Sequence, residues 1–168
     1  KINSYNIHKR YIKKDGEVIW VNLVVSIMRD EENNPLKYIG IVRDITQEKF
    51  NENALIESEE KFRNLYETME QGVVYQNKNG EIISANPAAL RILGLTQDQI
   101  KGRTSLDPRW KAIKTDGKEY LGEEHPATLA LKSGKAIVNK TMGVFHPLEK
   151  EYRWIIITAI PQFHKQEK

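Results

Sequence analysis

Residues 15–20 read DGEVIW, and residues 149–154 read EKEYRW. A strand rich in apolar residues follows each of these stretches. The Asp-Gly pair is a strong hairpin signal because glycine tolerates the positive φ that a tight turn needs. Aligning Trp20 with Trp154 sets the two stretches 134 residues apart, from 154 minus 20. The sequence is therefore predicted to contain one antiparallel folding pattern twice.

The first copy is predicted to end in a three-stranded antiparallel meander. Strands are expected over residues 9–14, which run into the Asp-Gly turn, over residues 17–28, which are rich in β-branched side chains, and over residues 36–42, which follow the next turn. The third strand runs into the tripeptide Asp44-Ile45-Thr46. Residues 1–46 are therefore assigned to the C-terminal strands of the first copy.

A helix is predicted over residues 47–70, where helix formers dominate and neither Gly nor Pro interrupts. Leu55, Phe62 and Met69 recur every seven residues, and Ser58 and Leu65 lie beside them on the same stripe. This spacing suits either a short coiled-coil seam or an amphipathic helix packed on a sheet.

The second copy occupies residues 71–168. Strands are predicted at residues 72–76, 81–85, 136–145 and 151–160, and helices are predicted at residues 86–94, 96–102 and 125–132. Residues 103–121 are predicted to be irregular. Asn86 is predicted as a helix N-cap, with Pro87 at the first helical position and Gly94 at the end, and Thr96 is predicted as the N-cap of the next helix. A counterpart of the first copy's third strand would end near position 178, roughly 44 plus 134, beyond the last residue. The first copy thus lacks its beginning, and the second lacks its last strand.

Three short motifs resemble the opening of a PAS sensor domain: GVVY at residues 72–75, NGEI at 79–82 and ANPA at 85–88. The sequence KDG at residues 14–16, with Trp20 and with RDIT at residues 43–46, resembles the closing (PAC) portion of a preceding PAS domain. The resemblance implies an α+β fold, with a five-stranded antiparallel sheet in the order 2-1-5-4-3 and helices on one face that enclose a small pocket. A partial second copy accompanies it.

In families of this type, the Asp-Ile-Thr motif sits where the last strand passes into an outgoing helix. Asp44 and Thr46 are therefore predicted to form a signal-relay joint, in which a short polar side chain caps the helix start. A plain N-cap without a relay role remains the alternative for either residue. The resemblance also implies a homodimer, and a downstream kinase or other output domain in the parent chain.

The candidate ligand-pocket residues are Arg103, Trp110, Tyr120, His125 and Trp154. The aromatic side chains could line an apolar pocket, and Arg103, like Arg109, could meet a carboxylate. His125 stands at a helix start and is a candidate haem ligand, although an ordinary solvent-exposed helix start has the same local sequence. Trp154 has packing on the sheet as its alternative. His146 lies in a predicted turn, where a surface role is expected.

The composition and the missing motifs argue against several classes of function. No catalytic residues and no metal site are predicted, because the sequence has no phosphate-binding glycine loop, no His-x-x-His pair, no Gly-x-Ser-x-Gly elbow and no cysteine. The net charge is only +3 and no basic block occurs, which argues against nucleic-acid binding. No apolar stretch is long enough for membrane contact by this segment. A cytoplasmic location is expected.

The leading hypothesis is a non-enzymatic sensory and relay module of a larger signalling protein, a histidine kinase, that binds a small ligand or mediates dimerisation. A ligand-free dimerisation scaffold, a haem or flavin sensor without a cysteine adduct, and the sensor of a diguanylate cyclase remain alternatives. No cofactor is assigned.

Overall fold

The computed structural model describes residues 4–107 and 109–163. The chain divides into two compact units, Lys1–Phe62 and Arg63–Lys168, and the division falls inside one long helix. The predicted domain boundaries, after residues 46 and 70, stay a prediction.

The first unit contains a three-stranded antiparallel sheet in the order β1-β2-β3, formed by Ser4–Ile12, Val18–Arg29 and Pro35–Asp44. A tight turn joins β1 to β2. Gly16 has a φ of +89° in this turn, and the backbone amide of Lys13 donates to the carbonyl of Glu17 at 2.8 Å. The predicted hairpin and meander are therefore confirmed.

Most residues in the sheet of the first unit are at least partly exposed to solvent. All ten residues of β3 are exposed. Among the described residues of this unit, the buried hydrophobic side chains are Val21 and Ile45, which are 1% and 3% exposed. Burial in the first unit therefore concentrates where the last strand ends and the long helix begins.

Helix α1 spans Thr46–Thr68, which confirms the predicted helix and ends it two residues before the predicted position 70. None of its side chains is buried. Leu55 and Leu65, on the seven-residue stripe, are 61% and 67% exposed. A helix gains most of its stability by packing an apolar face, and these two leucines of the stripe are left largely exposed to solvent.

The second unit alternates short strands and helices. Its elements are β4 (Val74–Gln76), β5 (Ile82–Ala85), α2 (Pro87–Leu93), α3 (Gln97–Ile100), β6 (Ala112–Ile113), a 3₁₀ turn (Gly122–Glu124), α4 (Pro126–Ser133), β7 (Ile137–His146) and β8 (Glu151–Ala159). Strands β4 and β5 form one antiparallel sheet, and β6, β7 and β8 form another in that order. The α+β class is confirmed.

The predicted strand order 2-1-5-4-3 is not confirmed. In that order a fifth strand lies between the first and the fourth, which correspond to β4 and β8. The described residues of the second unit supply no such strand, so the ladder that would join the two sheets is not formed.

Local capping signals explain the helices of the second unit. The Asn86 side chain accepts from the backbone amide of Ala89, Pro87 occupies the first turn of α2, and Gly94 ends it with a φ of +64°. Thr96 and Gln99 form a reciprocal capping box at α3. The caps at Asn86 and Thr96 are confirmed as predicted.

The core of the second unit consists of two apolar clusters. One contains Ile82, Ala85, Ala89 and Ile100, and the other contains Ala112, Met142 and Val144. Leu93 and Trp110 pack against both. The elements α2, α3, β5, β6 and β7 therefore share one continuous interior.

Candidate functional site

The first candidate site is the joint between β3 and α1. The backbone amide of Trp20 donates to Oγ1 of Thr46 at 2.9 Å, and the carbonyl of Trp20 accepts from the amide of Ile45 at 2.8 Å. Oδ1 of Asp44 accepts from the amide of Thr46 at 2.9 Å. The start of α1 is thus fastened to the central strand β2 by side chains as well as backbone.

The electrostatics of the joint favour a charged Asp44. Hydrogen bonds from the side chain and then the backbone of Thr46 lower the pKa of Asp44 below its ordinary value. Arg43 and Glu48 form an exposed ion pair at 3.7 Å across the same turn. The contacts are those of a rigid corner, while the relay roles of Asp44 and Thr46 stay predictions.

The second candidate site gathers around Trp110. The indole Nε1 of Trp110 donates to the carbonyl of Thr104 at 2.9 Å, and the guanidinium of Arg103 lies 5.5 Å from the ring centroid. The Nε atom of Arg103 is buried and has no hydrogen-bond partner among the described residues. An unsatisfied buried cation donor beside an aromatic ring is suited to an acceptor such as a carboxylate.

Tyr120 and His125 lie close to each other. Their rings stand edge to face with centroids 6.4 Å apart, and Nδ1 of His125 lies 3.2 Å from Oγ of Ser105. Burial lowers the pKa of His125 to about 4, so its imidazole is neutral at neutral pH. Tyr120 and Trp110 pack on the same core cluster, which brings four of the five predicted pocket residues to one region of the second unit.

Trp154 does not join this group. It pairs with Gly143 across β7 and β8 and is 54% exposed, whereas its neighbour Ile155 packs on the buried cluster. Successive residues of a strand point to opposite faces, so Trp154 lies on the outer face of the sheet. The structure thus favours the alternative reading of Trp154, packing on the sheet surface.

The hydrogen bonds of His125 and His146 do not favour haem ligation. Nδ1 of His125 accepts from the backbone amide of Ala127 at 3.4 Å, which assigns the ring proton to Nε2. Nδ1 of His146 accepts from the amide of Glu149 at 3.2 Å, and its Nε2 lies 3.2 Å from the carbonyl oxygen of Arg91. Neither ring therefore presents a free lone pair to iron without a change of tautomer.

Metal and membrane sites are also not found in the part of the chain that the structure describes. Residues 4–107 and 109–163 contain no cluster of three His, Cys, Asp or Glu side chains that could hold a metal ion. No helix in those ranges has the length and apolar character that crossing a bilayer requires.

Two residues, His146 and Asn86, are buried and make hydrogen bonds that the sequence did not indicate. His146 was expected at the surface, and this is wrong: it ends β7, is 4% exposed and contacts the end of α2 through the Arg91 carbonyl. Asn86 was predicted only as an N-cap, but its side chain is 0% exposed and makes four hydrogen bonds. The Asn-Pro start of a helix signals the cap, and no local pattern signals the remaining bonds.

Two family models match the chain, and both describe a PAS domain. One covers residues 1–47 and the other covers residues 60–125. The first match overlaps the predicted first copy, and the second overlaps both the predicted helix and part of the predicted second copy.

Curated relatives are similar over short segments. Sporulation kinase E of Bacillus subtilis (strain 168) is 33% identical over 70 residues, which is 42% of this chain and 10% of that protein. The probable diguanylate cyclase DgcE of Escherichia coli (strain K12) is 39% identical over 49 residues, 29% of this chain and 4% of that protein. The chain therefore matches only a small part of each relative.

Two solved structures are also similar. A sensory box histidine kinase/response regulator from Burkholderia thailandensis E264 has 26% identity and a TM-score of 0.33, covering 37% of this chain and 47% of that chain. A chain of the E. coli DhaR(N)–DhaL complex has 15% identity and a TM-score of 0.40, covering 82% and 49%.

Proposed function

Because this chain belongs to the PAS domain family and is a sensor module, we propose that it relays a change in its first unit to its second through α1, within a histidine kinase. The observation that carries the proposal is the joint at Asp44, Ile45 and Thr46. Three hydrogen bonds fasten the start of α1 there, so a shift of the β2–β3 ladder moves the helix with it.

The output assignment rests on similarity to a kinase over 42% of the chain. A diguanylate cyclase is the alternative output, supported by similarity over 29%. The proposal includes a cytoplasmic location, because a module that signals directly to a kinase domain shares the compartment in which that domain binds ATP. It also assigns no catalytic step to these residues, so that the output domain performs the chemistry.

Dimerisation is part of the proposal. The apolar stripe of α1 includes Leu55 and Leu65, both more than half exposed, and recurs with the seven-residue period of a coiled coil. A second copy of the same helix offers a matching stripe. A parallel pair of α1 helices would bring two relays together.

The proposed ligand is a small molecule with a carboxylate. Its support is the unsatisfied buried Nε of Arg103 beside the Trp110 ring. One observation favours the ligand-free scaffold instead: Leu93 and Trp110 pack against both core clusters, so apolar side chains fill the space between them.

Native mass spectrometry of the purified chain separates these functions. We expect a dimer that carries a small molecule. We expect Arg103→Gln to weaken binding of that molecule about tenfold or more, seen as a lower bound fraction, because hydrogen bonds to charged groups contribute about 1.5–3 kcal/mol. Arg109→Gln is the matched control, since the Arg109 guanidinium is held by Asp107.

A dimer without bound mass would remove ligand sensing and leave the scaffold. Equal loss of ligand in both arginine variants would show that Arg103 is not its contact. An absorption spectrum of the same sample tests for haem and flavin, and we expect a colourless protein.

A further inference from the structure

The side chain of Asn86 satisfies all of its hydrogen-bonding capacity inside the second unit. Oδ1 accepts from the backbone amides of Val73 and Ala89, each at 2.9 Å. Nδ2 donates to the carbonyls of Tyr66 at 3.1 Å and Gln71 at 2.9 Å. A single buried amide thus binds the end of α1, the segment that enters β4 and the start of α2.

The direction of these bonds is informative. Tyr66 lies in the last turn of α1, where carbonyl oxygens have no partner within the helix. Ala89 lies in the first turn of α2, where amide groups have none. Asn86 therefore closes the C-terminal end of one helix and the N-terminal end of the next. A second bond supports the first helix end, because the Tyr66 hydroxyl lies 2.8 Å from Oγ of Ser84.

The far end of α2 is fastened in turn to the sheet of the second unit. The carbonyl of Arg91 accepts from Nη1 of Arg153 on β8 at 3.0 Å and lies 3.2 Å from Nε2 of His146 on β7. Contacts are therefore continuous from the last turn of α1 through Asn86 and α2 to β7 and β8.

We propose that Asn86 is the receiving joint of the relay, a positioning residue through which displacement of α1 moves α2; this inference rests on the proposed relay function. Asparagine is suited to the task because it carries two donors and an acceptor oxygen with two lone pairs. Aspartate would cap α2 equally well, but its carboxylate has no donor for the carbonyls of Tyr66 and Gln71.

The experiment is a double-mutant cycle read by NMR-detected amide exchange. The joint variant Asp44→Ala/Thr46→Val is compared with the parent chain in two backgrounds, wild type and Asn86→Asp. In the wild-type background, we expect the joint variant to raise exchange rates in α2 about threefold or more. In Asn86→Asp, we expect exchange at residues 63–70 to rise about tenfold from the lost donor bonds, and the joint variant to leave α2 unchanged.

Two further variants serve as controls. Asn86→Ser keeps a capping hydroxyl without adding a buried charge and is expected to behave like Asn86→Asp. Tyr66→Phe removes the bond to Ser84, keeps the carbonyl that Asn86 binds, and is expected to transmit as wild type does.

A readout that leaves Asn86 intact covers the case in which its variants fail to fold. In the joint variant alone, we expect the side-chain amide resonances of Asn86 to shift. If they stay fixed while α2 exchange changes, or if α2 responds equally in both backgrounds, Asn86 is not the joint, although the relay stands. If α2 does not respond to the joint variant in the wild-type background, the proposed relay itself fails.

Discussion

Lowering the pH from about 7 to about 4 should remove about 3 kcal/mol from the unfolding free energy of the second unit, because the His125 pKa falls from 6.5 to about 4 on folding. The folded state disfavours the imidazolium, so between these two pKa values the unfolded chain binds more protons. Stability is therefore complete above about pH 6.5 and is lost as the pH falls toward 4. Urea titrations across this range measure the slope.

The matched variant is His125→Asn, since Asn caps a helix well and does not titrate. We expect its unfolding free energy to vary much less between about pH 6.5 and 4. Titration of Asp107 falls below this pH range. The hydrogen bond from the Arg109 side chain lowers the pKa of Asp107 to about 2, so the stability that Asp107 contributes is lost only as the pH falls below the ordinary Asp pKa of 3.8. An unchanged slope in His125→Asn would contradict the burial of a neutral imidazole.

Gly94→Ala should destabilise the second unit by about 3 kcal/mol, combining backbone strain with a steric clash. Gly94 has a φ of +64°, and a Cβ atom there would lie 2.5 Å from Nε2 of His146. His146 is buried, so it would have to move away from the Arg91 carbonyl. Thermal or urea unfolding measures the loss.

Gly117→Ala separates the two causes. Gly117 has a φ of +82° but no atom within 4 Å of an added Cβ, so only strain of about 1 kcal/mol is expected. In a His146→Ala background, the further cost of Gly94→Ala should fall toward the same value, because the clashing ring is gone. Equal losses in the two glycine variants would mean that His146 does not pack against Gly94.

Local signals predicted much of the fold. Some features depend only on residues that are close together in sequence. The structure contains those that were predicted in this way: the turn at Gly16, the helix caps at Asn86 and Thr96, and the long helix α1. The similarity of the segments around Trp20 and Trp154 predicted the β1–β2 and β7–β8 hairpins, because the two strands of a hairpin are close together in sequence.

Contacts between distant residues were not predictable in the same way. The burial of His146 depends on a carbonyl 55 residues earlier, and Asn86 reaches a carbonyl 20 residues earlier. For Trp154, alternation along β8 groups it with Ile156 but does not tell which face is covered. Strand order likewise depends on pairing between segments far apart in the chain.

The most direct test of the relay is the response of the second unit to a change at the first joint. Thr46→Val keeps the shape of the side chain, removes the acceptor of the Trp20 amide and leaves the second unit unaltered in sequence. Glu17→Gln, which breaks only the exposed ion pair with Lys13, is the control within the first unit. The account predicts that Thr46→Val shifts ¹H–¹⁵N resonances of α2 and β5 while Glu17→Gln does not; shifts confined to residues 4–62 in both variants would contradict it.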